Sequence, residues 1–174
     1  MKISTRIERY ARLVQNLAVI FGIFGALFAL LTSQFDKRVG RTLELYKDYS
    51  QAVRKDALDL DLRWAQFAVE HPNLFEKKIE EQQILVTSFF DSAERRLALI
   101  NLTTFYDTLF ICVQNGACDR NTAIELFGST AKSTFEISGH YIETTRKAHR
   151  SNAFGWGLEQ MYRLRKEGLF SRYI

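Results

Sequence analysis

The sequence predicts an all-α protein: a single N-terminal transmembrane helix followed by a bundle of about four to five helices. Three observations carry that expectation. One proline and nine glycines in 174 residues leave few places to break a helix. No stretch alternates apolar and polar residues with the period of a strand. And Leu13 to Phe35, "LVQNLAVIFGIFGALFALLTSQF", runs without one charged side chain in a chain that is 25% charged.

The apolar run comes first. As a helix it reaches about 34 Å, enough for a hydrocarbon core of roughly 30 Å. It ends in Leu30, Leu31, Thr32, Ser33 and Gln34, without the small-x-small site of a cleavable export signal. Basic residues flank it on both sides: Arg6, Arg9 and Arg12 before, Lys37, Arg38 and Arg41 after. These features define a membrane anchor at 13–35, with a basic flank at 1–12, a juxtamembrane helix at 36–49 and a bundle domain at 50–174. Within the anchor, Ala18, Gly22 and Ala26 recur at intervals of four, with Gly25 and Ala29 nearly on the same side. Small residues so spaced let membrane helices pack backbone to backbone, so self-association or docking onto another membrane protein is expected.

After the anchor, punctuation sets the elements. Ser50 is placed to cap a second helix carrying "LRWAQFAV", which stops at His71-Pro72 because the residue before proline is pushed out of helical geometry. A long apolar helix or pair of helices spans about Glu76 to Asn115 and ends at Gly116. Asp119 caps a fourth helix reaching about Arg150, whose buried stripe is Ile124, Phe127, Ala131, Phe135, Ser138 and Ile142. A short helix from Phe154 to about Lys166 closes the chain. Leu97 to Val113 is apolar enough to raise a second span, but Asp107 near its centre would cost about 2.5–3.5 kcal/mol in a bilayer. Leu97, Ile100 and Leu102 with Phe105 and Leu109 better fit a helix central to a bundle and covered on most sides.

Charge is unevenly spread. Residues 1–41 hold seven basic and two acidic side chains, 142–174 seven and three, and 42–141 ten and fifteen. The positive-inside count is tied between the two flanks of the anchor. Arg163, Arg165 and Lys166, with Arg172, make a basic end that suits anionic lipid or a partner, as do Lys37, Arg38 and Arg41. An ordinary solvated helix face accounts for the same pattern. Nucleic acid is not expected, because residues 42–174 are near neutral and no recognition motif is present.

Chemistry-bearing signatures are thin. Cys112 and Cys118 in "CVQNGACDR" are expected to act as small apolar residues at a helix-ending turn, with a disulfide as the alternative. Glu136, His140 and Glu143 share a helix face without the spacing of a metal site. There is no P-loop, no G-x-G-x-x-G and no HExxH. No cofactor, metal or catalytic residue is assigned, and the chain is expected not to be an enzyme.

Three blocks, "RTLELYKDYSQAVRKDAL", "NLTTFYDTLFICVQNGACDRNTAIELFG" and "HYIETTRKAHRSNAFGWGLEQMY", resemble a bacterial family catalogued as domain of unknown function 4760. Gly116, Cys118, Asp119, Tyr141, Ile142 and Arg146 fall where that family has a helix-ending glycine, a hydrophobic residue, an aspartate, an aromatic-isoleucine pair and an arginine. Cys118 replaces the usual aliphatic residue, and Phe135 stands where a tryptophan is often found. The resemblance implies a bacterial helical protein with a cytoplasm-facing domain and implies no reaction. The resulting expectation is a single-pass inner-membrane protein, its C-terminal domain cytoplasmic with a periplasmic placement as the alternative. It acts as an interaction module, scaffold or accessory subunit of a larger membrane complex. A sensor or effector working through oligomerisation of its span, for example in phage defence, and an enzyme with an unrecognised site are the alternatives.

Overall fold

The computed structural model describes the backbone of residues 4–170 and, within it, the side chains of 20–167 apart from Phe75. Every described regular element is helical. Helix α1 covers Ser4–Asp48, α2 Arg54–Glu70, α3 Ile79–Phe89, α4 Ala93–Gln114, α5 Arg120–His149 and α6 Trp156–Phe170. The chain forms two compact units, Met1–Arg38 and Val39–Ile174.

In the first unit the large apolar side chains from Ile20 to Phe35 are all exposed, Phe21 at 72% and Phe28 at 70%. A Cβ added at Gly22 or Gly25 would meet nothing within 4 Å, so the small-residue face is open. The side chains before Ile20, Ala18 among them, lie outside the described residues, as does Arg172.

The second unit is a bundle in which α4 packs against α2, α5 and α6, and α5 against α3 and α6. Its core joins Tyr49, Leu60, Phe89, Phe90, Leu99, Leu102, Tyr106, Leu109, Phe127, Ile142, Leu158 and Met161. Aromatic rings hold much of it together. Tyr49 meets Phe127 edge-on at 5.5 Å, and Phe89 meets Phe90 and Trp64 in the same manner at 5.0 and 5.1 Å. Such pairs add about 0.5–1.5 kcal/mol each beyond the area they bury.

Three helix boundaries follow the expected chemistry. His71, at φ −123° and ψ 65°, leaves the helix directly before Pro72. At the α4–α5 turn, Gly116 adopts φ 66°, Ala117 N donates to Cys112 O and Gly116 N donates to Val113 O. That is the paired bond pattern of a left-handed helix ending. Asp119 then accepts at Oδ1 from Thr122 N at 2.8 Å, capping α5. The stripe predicted on α5 is also seen: Phe127, Ala131, Ser138 and Ile142 are buried, and Ile124 and Phe135 are half-buried.

Other expectations are corrected. Ser50 caps nothing. Its hydroxyl donates back to Lys47 O at 2.7 Å, and α1 runs into α2 through a single π-helical turn, Tyr49–Val53. That local bond offers the hydroxyl a partner one turn back, so the helix has no reason to stop. Residues 36–49 are therefore not a separate helix, since 36–48 belong to α1. The long stretch from about Glu76, expected as one helix or a pair, takes the second form, α3 and α4 with a break at Phe90–Ser92. Helix α4 is also less enclosed than expected, with Leu97 59%, Ile100 47% and Ile111 50% exposed while Leu102, Tyr106 and Leu109 are fully buried.

Cys112 and Cys118 form a disulfide, with their Cα atoms 5.2 Å apart. The reading of two free apolar thiols is overturned. The helix ending brings the two residues together, because Cys118 N donates to the same Cys112 carbonyl that accepts from Ala117. Thr42, fully buried on α1, accepts from Asp119 N at 2.9 Å and so ties this turn to the segment that enters the bundle.

Candidate functional site

Helices α4 and α5, at the end away from their connecting turn, line a half-open cavity of about 450 Å³. The α4 wall carries Arg96, Ile100, Thr103, Thr104 and Asp107, at the three- and four-residue spacing of one helix face. The α5 wall carries Tyr141, Thr145, Arg146 and His149. Ser151 and Phe154, from the loop before α6, close the end. The size lies within the range typical of small-molecule pockets.

Each wall is fixed by what lies behind it. Asp107 Oδ1 accepts from Gly157 N at 2.5 Å, joining α4 to the first turn of α6. A Cβ at Gly157 would fall 2.5–2.6 Å from the Asp107 Cα and N, so only glycine permits this approach. Burial raises the Asp107 carboxyl above its ordinary pKa, against the Gly157 hydrogen bond and the Arg146 charge, which lower it. Tyr141 stacks on Phe90 with ring centroids 4.7 Å apart. Gly155, at φ 66°, turns the chain beneath Ile142 and Thr103.

Arg146 is the most constrained cation in the cavity wall. Its Nε donates to Phe154 O at 2.7 Å, and its Nη1 donates to Glu159 Oε2 at 2.8 Å. The two side chains are only 16% and 17% exposed. Glu159 also accepts from Arg163 Nη2 at 2.5 Å. Burial works to raise the Glu159 carboxyl, but the hydrogen bonds and charges of Arg146 and Arg163 outweigh it and hold the pKa below the ordinary value. The Arg146 Nη2 is buried and has no hydrogen-bond partner.

The residues singled out in the sequence are dispersed. Gly22, Gly25, Ala26 and Ala29 lie on the exposed first unit with Lys37 and Arg38, while Arg41 is an exposed residue of the second. Arg163 is drawn to Glu159, Arg165 lays its stem over Gly128, and Lys166 is exposed. Glu136 and Glu143 pair with Lys132 and Lys147, at 3.7 and 2.8 Å. Among the described residues no cluster of His, Cys, Asp and Glu is arranged to hold a metal. Of the motif residues, Gly116 and Asp119 shape the α4–α5 turn, Ile142 is core, and Tyr141 and Arg146 reach the cavity. Sequence reading missed Arg96, Thr145 and His149 as a group.

A second feature is a surface. On α2, Leu58, Leu62, Ala65 and Val69 recur at helical spacing and are all exposed, Leu62 at 66% and Val69 at 80%.

The family model for a domain of unknown function, DUF4760, matches residues 16–164. The chain belongs to the DUF4760 family. No curated protein and no solved structure matches it. The DUF4760 match runs from within the apolar segment through the disulfide turn and the cavity into α6.

Proposed function

We propose that this protein is a single-pass, membrane-anchored helical interaction module, a non-catalytic scaffold or accessory subunit that recruits a partner through its bundle. The observation that carries the reading is the bare α2 stripe of Leu58, Leu62, Ala65 and Val69. An apolar helix face left in water is costly at about 25 cal/mol per Å², and such faces mark docking sites for another helix or sheet. The anchor rests on the apolar segment up to Phe35, whose described side chains cover no core of the protein. Lipid around that segment and a membrane protein on its Gly22–Ala26–Ala29 face are the partners it suits. Lys37, Arg38 and Arg41 at the exit, and Arg163, Arg165 and Lys166 on α6, suit lipid headgroups or an acidic partner. The inner membrane of a bacterial cell is the proposed location. The Cys112–Cys118 disulfide favours the alternative orientation, with the bundle on the oxidising side, over the cytoplasmic placement that the family resemblance implies.

Photo-crosslinking tests the reading. A photoreactive residue at Leu62, in the full chain in its native membrane, is expected to give one discrete adduct of higher mass. Adding Val69→Lys should abolish that adduct while leaving circular dichroism unchanged. No adduct at Leu58, Leu62 or Val69 would reject the stripe as a docking face.

A further inference from the structure

We propose that the cavity between α4 and α5 binds a small organic anion: a ring or short apolar body ending in a phosphate or carboxylate group. Two halves of the wall point to the two halves of that ligand. The apolar part is Ile100, Tyr141 and Phe154. Water in a space of about 450 Å³ gains nothing from that carbon surface, whereas a ligand with an apolar body does. The polar part is cationic. Arg146 is held by Phe154 O and Glu159, yet its Nη2 remains buried without a partner. The guanidinium thus brings a fixed positive charge to the cavity wall, with bonding capacity not used up by its protein partners.

Every charge around the cavity enters the balance. Glu159, behind the wall, neutralises Arg146. Asp107 is itself in the wall, but its Oδ1 is committed to Gly157 N, and burial already disfavours its charged form. Arg96, on an exposed part of α4, makes only a long 3.5 Å bond to Phe90 O. It is the cation left to meet an anion, in the forked geometry that suits phosphate or carboxylate oxygens. His149 sits on the same rim and offers ring nitrogens to a polar group. The ligand's charged end is therefore assigned to Arg96, with the Arg146 guanidinium behind it, and its body to the space between Ile100 and the two aromatic rings.

The test is calorimetric titration of the full chain in detergent with phenyl phosphate and with benzoate. Inorganic phosphate supplies the charge alone and benzyl alcohol the ring alone. Saturable binding of phenyl phosphate or benzoate, at least about tenfold tighter than either half-ligand, is the expected result. Arg96→Gln should weaken it about tenfold or more, as loss of a charge-assisted contact does. Thr145→Leu, which fills the cavity from α5, should remove it. Both positions are at least partly exposed, so the melting temperature of each variant should stay at the wild-type value. Absence of binding by both whole ligands overturns the proposal. So does inorganic phosphate binding as tightly as phenyl phosphate, or an affinity that survives either substitution.

Discussion

Two carboxylates on neighbouring elements carry opposite signs of linkage to pH. Glu159, hydrogen-bonded to Arg146 and Arg163, has its pKa lowered by folding. Its contribution is complete above the unfolded value near 4.5 and is lost as pH falls through the lower folded value. Asp107 has its pKa raised by burial. The folded state therefore holds a proton where the unfolded state does not, and stability falls as pH rises from 3.8 through the raised folded value. At neutral pH the Glu159 contribution is fully in place. Glu159→Gln should cost about 2 kcal/mol at pH 7, the worth of hydrogen bonds to charged groups, and the difference from wild type should shrink below pH 4.5. Asp107→Asn keeps an acceptor for Gly157 N and removes a desolvated charge. Its stability relative to wild type should rise as pH increases above 3.8. Denaturant unfolding followed by tryptophan fluorescence over a pH series measures both, and parallel pH profiles for the two variants would contradict the assignment.

At the scale of elements, the α4–α5 turn has two separate fastenings. Its backbone is closed by Gly116 in the left-handed region and by the Asp119 cap, and its side chains are closed by the disulfide. The loop is short, with a sequence separation of 6, so the chain-entropy gain from the bridge is about 2 kcal/mol. The double replacement Cys112→Ser, Cys118→Ser should lower unfolding free energy by about that amount and leave helix content unchanged. Loss of the fold would mean that the backbone closure is not sufficient by itself. This turn also shows how much was legible in the sequence. Gly116 and Pro72 act through their own backbones and Asp119 through a side-chain cap three residues on, so local chemistry names their places. Ser50 has the same local credentials but spends its hydroxyl on Lys47 O, a choice that only the continuing helix reveals. Leu97 and Ile100 share a helix with Leu102 and Leu109, and periodicity alone does not say which apolar flank other helices cover. The disulfide, too, follows from how the turn closes, and spacing left it as one of two readings. The cavity was hidden for a stronger reason: Arg96 and Thr145 lie on different helices, and only the α4–α5 packing makes them neighbours.

For the whole molecule, the proposed membrane anchor would put the bundle on one side or the other, and two kinds of observation pull apart. Basic residues flank the apolar segment about equally, so charge does not decide orientation. The disulfide does carry a preference, because such bonds persist in oxidising compartments and are rare where thiols are kept reduced. The family resemblance implies the opposite side. A dual reporter fused after Ile174, active as a phosphatase outside and fluorescent inside, separates them. The expected outcome is phosphatase activity without fluorescence. In the same cells Cys112 and Cys118 should resist a thiol-alkylating reagent until a reductant is added. Fluorescence with freely alkylated cysteines would place the bundle in the cytoplasm with its turn held by Gly116 and Asp119 alone. The docking partner of α2 would then be sought among cytoplasmic proteins. With the bundle outside, the proposed docking stripe would face the envelope, and its partner would be sought there.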